Sequence, residues 1–515
     1  MPVLNISNFN IVTACLGGFA LVFGLISYVV KEHCYMGEAL PALLFGLIFN
    51  KAKWVIPEEY GNVREITLEF SRLVLGIQLV LAGVQLPAKY LVKEWRSFFF
   101  LLVPVMTTMW VVTALIIWLI FPNLRYLDAL IIGSCVTPTD PVLSNSVVKG
   151  KFAEKYVSES LRNIISAESG ANDGFGYPFL FLALYIDRYS GTKIAKEWIV
   201  ETILYEILLS VAYGAVIGYL GQELLGYAKK FNFVDDESFL VFVFALGLFI
   251  LGTAGMIGTD DLLAAFIAGN AFTWNDWFRE ETKDDTLQPT LDLMLNFAIF
   301  LWVGVVMPWG QFNQPHLNLP VWRFVLCGIC VLVFRRLPAM LVFYKFIPTI
   351  KNIKEALFAG FFGPIGIGAI FYLHTALNKL DEFIEENEHG EAHTYDPHWL
   401  ITVMYPLVYF LILSSVVVHG ITIPVSMLGK QLPTTLSRTM TMTRSFSRSR
   451  SASRDRTPRD PEGHVKIDAI SNPTDLRQNI HVVDESGTTD DSQDTYTRPA
   501  PEIGFVIPDR RGDQV

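Results

Sequence analysis

Charge is scarce in this sequence: Asp, Glu, Lys and Arg make up 17% of its 515 residues, against 52% hydrophobic and 13% aromatic residues. Soluble domains carry about a quarter charged residues, so a soluble globular protein is excluded and an integral membrane protein is indicated. Cysteine is scarce too. The five present, Cys15, Cys34, Cys135, Cys327 and Cys330, lie mostly in apolar runs, are odd in number, and lack histidines at ligand spacing. That pattern builds neither a disulfide framework nor a metal site, and no cofactor is implied. No Gly-Lys-Ser/Thr follows the glycine-rich stretch 357–372, which excludes a phosphate loop there. The first apolar run has no basic flank before it and no small-residue cleavage site after it, so no cleaved signal peptide is expected.

Long apolar runs are what the chain has in abundance. A hydrocarbon core about 30 Å thick needs roughly 20 apolar residues per helix. Runs that meet or approach this lie near 9–30, 37–50, 67–86, 98–121, 128–148, 164–186, 199–226, 238–256, 260–273, 288–310, 321–347, 355–378 and 399–427. Several are short or polar, so the expectation is an all-α polytopic membrane protein of about 12–13 transmembrane helices. The net charge of −10 hides its distribution: acidic clusters at 280–285 and 381–391 outweigh basic loops elsewhere. Orientation follows Lys and Arg near helix ends. With thirteen spans and a cytosolic C-terminus, the basic loops 87–97, 148–162 and 345–354 fall inside and the acidic loop 379–398 outside; the loops 51–66 and 187–198 run against the trend.

Two domains are expected, a membrane domain over 1–427 and a polar tail over 428–515. The tail opens on "TMTMTRSFSRSRSASRDRTPRD" and has too few apolar residues to bury, which predicts disorder. Arginine–serine runs occur in RNA-binding proteins, but here the run follows a membrane span closely, where arginines are attracted to anionic lipid. No nucleic acid is expected as a partner. Arg444, Arg448 and Arg450 each stand three residues before a serine, at Ser447, Ser451 and Ser453. That spacing suits a basic-directed kinase or another regulatory partner, since phosphate would weaken the lipid attraction; an inert solvated tail is the alternative.

One apolar run is broken by chemistry. "SCVTPTDPVLSN" (134–145) places Asp140 among Pro138 and Pro141. A buried aspartate costs about 2.5–3.5 kcal/mol on insertion scales, and each proline removes a backbone donor, so the helix around Thr139 must open. Open backbone at membrane depth persists where it lines a cavity or is buried in protein. An extramembrane loop is the alternative, disfavoured because the flanking runs are too short to span alone. A second interrupted run, "LFAGFFGPIGIGAIFY" (357–372), concentrates Gly360, Gly363, Pro364, Gly366 and Gly368 late in the chain. A matched pair of Gly/Pro-interrupted helices points to an inverted-repeat transporter with its site at the midplane. Close helix packing through small residues is compatible with this.

A third segment, "SAESGANDGFGYP" (166–178), brings Glu168, Ser169, Asn172 and Asp173 together and reads as continuing in one helix through "FGYPFLFLALYI". Two carboxylates with hydroxyl and amide oxygens suit a small hard cation. A helix cap at the membrane edge is the alternative for Asn172–Asp173.

At these residues the chain resembles the Na+/H+ exchangers of the monovalent cation/proton antiporter superfamily, and within it the fungal plasma-membrane branch. Glu168 with Asn172–Asp173 fits the E-x-x-x-N-D pattern of the electroneutral type, and Thr139-Asp140-Pro141 looks like the T/S-D-P of the unwound helix. "AGVQLPAKY" (82–90), "GTDDLLAAFIAGN" (258–270) and "GPIGIG" (363–368) extend the likeness over roughly 10–427. The resemblance implies an inverted-repeat antiporter fold with two crossed broken helices, a homodimer, and no enzymatic chemistry. It implies that Asp173 binds cation and proton in turn, that Asn172 stabilises Glu168 or the site's geometry, and that Ser169 and the Thr139 carbonyl complete the oxygen shell. Asp140 would neutralise the half-helix N-terminus, and Glu168 would pair with Arg335 or Arg336, a membrane-edge charge being the alternative for one of them. Gly363, Pro364 and Gly366 would support the second broken helix. Bacterial relatives carry a glutamate where this chain has Leu81, so that ligand has no counterpart here.

Asp260 and Asp261 open an apolar helix; an entry funnel, a second coupling site and macrodipole charges all fit them. His374 and His419, lone in apolar surroundings, read as residues satisfied by helix contacts. The expectation is a plasma-membrane antiporter exchanging cytosolic Na+ or Li+, with K+ a further candidate, for external H+ in salt tolerance and pH homeostasis. Two alternatives remain: another inverted-repeat carrier of anions or neutral solutes, which needs a basic residue at the broken helices, and a receptor or scaffold with a signalling tail.

Overall fold

The computed structural model describes residues 8–30, 36–55, 57, 61–148, 155–283, 285–388 and 398–422, all within a compact unit spanning Met1–Thr441. The tail from 428 onward, with its serine and arginine motifs, lies outside the described residues. Among the described residues no strand forms, and β-pairing is one isolated bridge between Gln314 and Leu319.

The helices in chain order are α1 (Asn8–Tyr28), α2 (Ala39–Lys51), α3 (Val63–Gln85), α4 (Trp95–Ile120), α5 (Tyr126–Cys135) and α6 (Pro141–Val148). Next come α7 (Glu159–Gly174), α8 (Tyr177–Arg188), α9 (Thr192–Lys230), α10 (Asp236–Ile257), α11 (Asp261–Phe272) and α12 (Leu287–Val306). The last are α13 (Val321–Phe334), α14 (Leu337–Phe343), α15 (Ile353–Phe361), α16 (Ile367–Glu388) and α17 (His398–Thr422).

Each of the thirteen apolar runs coincides with a helix or a helix pair. Among the described residues, eight are long and apolar enough to cross a membrane by length and composition, whereas α2, α5 and α11 are short apolar helices. The shortfall against thirteen spans has a physical cause. The runs near 128–148, 164–186 and 355–378 are each broken in the middle, and α2 and α11 have only 13 and 12 residues. The helix expected to continue through 166–186 is interrupted at Phe175–Gly176, because Pro178 has no N–H to donate to the carbonyl of Gly174. A second unforeseen break falls at Arg335–Arg336, where Pro338 likewise cannot donate to Phe334.

Side chains set several helix starts. Asn62 accepts the N–H groups of Arg64 and Glu65 at the head of α3, Asp235 that of Ser238 in α10, and Asn352 those of Lys354 and Glu355 in α15. Gly258, at φ +80°, ends α10 in the left-handed conformation.

Burial sorts the helices into a core and a lipid-facing shell. The most apolar stretch of α3 is 67% buried, that of α9 22% and that of α1 11%. α11 packs against α3, α7, α9 and α10 at the centre. Connections are joined by Arg64 to Asp381 at 2.9 Å, Arg125 to Asp187 at 2.7 Å and Lys229 to Glu281 at 2.7 Å, and by Lys89 over the Trp274 ring.

Candidate functional site

The two broken helices exchange backbone groups where they cross. The Asp140 N–H donates to the Pro364 carbonyl at 2.9 Å, and the Asp140 carboxylate reaches back across the crossing. Its Oδ1 accepts the N–H of Ile367 at 2.8 Å, at the head of α16, and its Oδ2 that of Leu143 at 2.8 Å, at the head of α6. One buried carboxylate thus caps two helix N-termini whose partial positive charges converge there. A side chain on Gly366 would overlap that carboxylate, so its hydrogen atom is what allows the approach.

Arg335 is the counterpart at the other ends. Its guanidinium donates to the carbonyls of Val136, Thr137 (3.2 Å) and Pro138 (3.4 Å) beyond α5, and to that of Gly363 beyond α15. The helix C-termini carry the negative end of the macrodipole, so a buried cation balances both breaks, as Asp140 does at the N-termini. Arg336 turns the other way. It binds Glu168 through two bonds of 2.6 Å each and donates Nε to the Ala359 carbonyl at 2.9 Å. Glu168's partner is therefore Arg336, not Arg335, and neither arginine is a membrane-edge charge, both being buried.

Thr139, Ser169 and Asn172 form one hydrogen-bonded cluster. Asn172 Oδ1 accepts the Thr139 N–H at 3.1 Å, and its amide donates to the Thr139 hydroxyl at 2.8 Å. Ser169 Oγ lies 3.1 Å from Thr139 Oγ1 and 3.0 Å from Ser144 Oγ. Asn172 therefore fixes the open backbone; Glu168 is held by Arg336. A helix-cap role for Asn172 does not fit, because both ends of its amide reach Thr139.

Asp173 stands apart from this pattern. It is 1% exposed, and both its carboxylate oxygens are buried without a hydrogen-bond partner among the described residues. Like-charged Asp140 is near enough to act on it electrostatically. A side chain on Gly368 would fall on the Asp173 carboxylate, so α16 passes directly over it. The Tyr372 hydroxyl, one turn further along α16, donates to the Asp173 carbonyl at 2.6 Å and accepts the Gly176 N–H at 3.1 Å, bridging the break between α7 and α8.

Asp260 and Asp261 lie away from the crossing. Asp260 Oδ1 caps α11 through the Leu263 N–H at 2.9 Å, and Asp261 accepts from Arg72 Nε at 2.5 Å. His419 bonds Ser415 and the Phe361 carbonyl (3.0 Å), and His374 Nε2 lies 3.4 Å from the Tyr409 hydroxyl. Sequence reasoning passed over Ser144 and Tyr372. Both were findable by helical spacing, Ser144 four residues after Asp140 and Tyr372 four after Gly368.

A multi-pass bundle with crossed, charge-balanced helix breaks around a buried carboxylate belongs to the ion carriers, and the comparisons with known proteins narrow it. Residues 14–428 match the family model described as sodium/hydrogen exchanger, transmembrane, and the chain belongs to that family of transporters. It is 43% identical to a probable Na+/H+ antiporter of Schizosaccharomyces pombe over 84% of its length and 58% of that protein. It is 42% identical to Na+/H+ antiporter 2 of Zygosaccharomyces rouxii over 84% of its length and 54% of that one. The chain thus spans little more than half the length of these relatives. Its fold resembles that of the sodium proton antiporter MjNhaP1 from Methanocaldococcus jannaschii, with a TM-score of 0.56 over 79% of this chain and 99% of that one, at 18% identity.

Proposed function

We propose that the chain is a secondary active antiporter that moves cytosolic Na+ or Li+, with K+ a further candidate, outward against inward H+. The observation that carries this reading is the contrast between Asp173 and its charged neighbours. Asp140, Glu168, Arg335 and Arg336 each have partners, whereas neither carboxylate oxygen of Asp173 has one among the described residues. An unpaired buried charge is costly, and a proton or a cation neutralises it equally well. The two are then mutually exclusive on one carboxylate, which makes exchange obligatory.

In this mechanism the cation is cargo. The Ser169 hydroxyl, one turn before Asp173 on α7, and the Thr139 carbonyl supply further hard oxygens, and Asn172 holds the Thr139 backbone open. Asp140 and Arg335 keep the crossing neutral whether the site is loaded or empty, and the Glu168–Arg336 pair ties α7 to Ala359 in α15 as the access side changes. An anion carrier is disfavoured because both arginines near the crossing are engaged, with backbone carbonyls or with Glu168. The same reading places the protein in the plasma membrane as a homodimer with a cytosolic tail that regulates exchange, in salt tolerance and pH homeostasis. The names of the fungal relatives, a probable Na+/H+ antiporter and a Na+/H+ antiporter, support the exchange of Na+ for H+.

Purified protein in liposomes loaded with a pH-sensitive dye and challenged with Na+ tests the proposal. Alkalinisation of the Na+-loaded side's opposite compartment is not expected without Na+ entry; Na+ entering the lumen should drive H+ out and raise lumenal pH. Anion-dependent pH changes that ignore Na+ would support the alternative carrier, and no response would favour the receptor.

A further inference from the structure

Between α3, α9, α11 and α16 lies an acidic chamber of about 240 Å³. Glu69, Arg72, Glu206, Asp260, Asp261 and Tyr177 line it. Four carboxylates against one guanidinium leave it with an excess of three negative charges when all are ionised. Asp261 is held by Arg72, which also bonds Glu69 at 3.3 Å. Asp260 and Glu206 are not accounted for in this way. Asp260 is 1% exposed; its Oδ1 caps α11, and its Oδ2 is buried without a partner among the described residues. Oε2 of Glu206, on α9, is likewise buried without one. A helix-capping role explains one oxygen of Asp260 and nothing about Glu206.

Neutral oxygens complete the surroundings. Thr259 and Thr375 also line the chamber, and each hydroxyl donates to a backbone carbonyl, Thr259 to Tyr205 (2.9 Å) and Thr375 to Phe371 (2.9 Å). A hydroxyl that donates in this way keeps lone pairs for a cation. Carboxylate oxygens of Asp260 and Glu206 without partners among the described residues, together with neutral hydroxyls, suit a partly hydrated monovalent cation. Aromatic rings join the chamber to the segment that holds the central carboxylate. Tyr177 and Phe371 face the chamber, and Tyr372, which bonds the Asp173 carbonyl, packs against both, with ring centroids 5.5 and 5.3 Å away.

We propose that Asp260 and Glu206 form a second monovalent-cation site, separated from Asp173 by the Tyr177–Phe371–Tyr372 rings, where a cation rests on its way between the central site and the outer solution. The use of the site rests on the exchange reading; its existence does not. Equilibrium binding of radiolabelled Na+ to the purified full-length protein tests it, with Glu206→Gln as the diagnostic change because Asp260 also caps a helix. Asp173→Asn is expected to lose exchange in liposomes yet keep saturable Na+ binding, and Asp173→Asn/Glu206→Gln to lose that binding while keeping the melting temperature of Asp173→Asn. Glu206→Gln alone is expected to raise the half-saturation constant for Na+ severalfold from the chamber side only. If Asp173→Asn already abolishes all binding while wild type binds and exchanges, the second site is overturned and the exchange reading stands. If wild type binds Na+ at the Glu206-dependent site without exchanging it, the exchange reading fails and the site stands.

Discussion

Arg336 grips Glu168 with both terminal nitrogens at 2.6 Å, while the adjacent Arg335, among the described residues, touches no carboxylate and binds backbone carbonyls. Two neighbouring arginines therefore carry separable burdens. Removing Arg336 leaves Glu168 as an uncompensated buried charge, and Arg336→Leu is expected to destabilise the protein by about 3–5 kcal/mol. Exchanging the partners, as Glu168→Arg/Arg336→Glu, should restore part of that loss. Thermal melts in detergent decide it, and additive losses in the exchanged variant would remove the pairing.

Asp140 caps two helices with two different oxygens, so its substitutions should rank in an unusual order. Asp140→Ala leaves the buried N–H groups of Leu143 and Ile367 unpaired, at about 1–3 kcal/mol each. Asp140→Asn keeps an acceptor for one of them but turns an amide donor on the other, and should recover little. A wild-type melting temperature for the asparagine variant would show that the carboxylate does not bridge the helices.

Gly368→Ala places a methyl group where the Asp173 carboxylate lies. The expected result is a large rise in the half-saturation constant for Na+, or loss of exchange, in a protein that still folds. Gly247→Ala is the control, since its methyl group would meet Val80 Cγ2 at an ordinary 3.5 Å. Equal exchange by both variants would mean that α16 does not crowd the cation-binding carboxylate.

Tyr372→Phe removes the hydroxyl that joins the Asp173 carbonyl to the Gly176 N–H. The unpaired N–H should cost about 1–3 kcal/mol, and the loosened end of α7 should weaken Na+ binding more than it lowers the maximal rate. Initial rates over a Na+ series separate the two, and unchanged kinetics with unchanged melting would make the bridge dispensable.

The sequence made the outline readable because lipid imposes a strong pattern: thirteen apolar runs are thirteen helices or helix pairs. Pro138, Asp140 and Pro141 also announced the first break, since each conflicts with a buried helix. Pro178 and Pro338 announced theirs more weakly, because a proline in the first turn of a helix is ordinary, and the breaks lie just before them. The choice between Arg335 and Arg336 was not legible. It depends on partners about 200 and 168 positions away in the chain, and both arginines sit at the break between α13 and α14, where no helical periodicity sets their directions. Ser144 and Tyr372 carry a weak signal, their four-residue spacing from Asp140 and Gly368, because a hydroxyl in an apolar run disturbs no pattern and its contacts give it its role.

The central claim is that Na+ and H+ compete for the single carboxylate of Asp173, and exchange in liposomes over a pH series tests it most directly. Because the cation needs the deprotonated carboxylate, lowering the pH should raise the apparent half-saturation constant for Na+, approaching about tenfold per pH unit where the proton already dominates. The maximal rate at saturating Na+ should stay nearly constant, and a folded Asp173→Asn should exchange nothing. A half-saturation constant that stays flat with pH, or an Asp173→Asn protein that still moves H+ against Na+, would contradict the account.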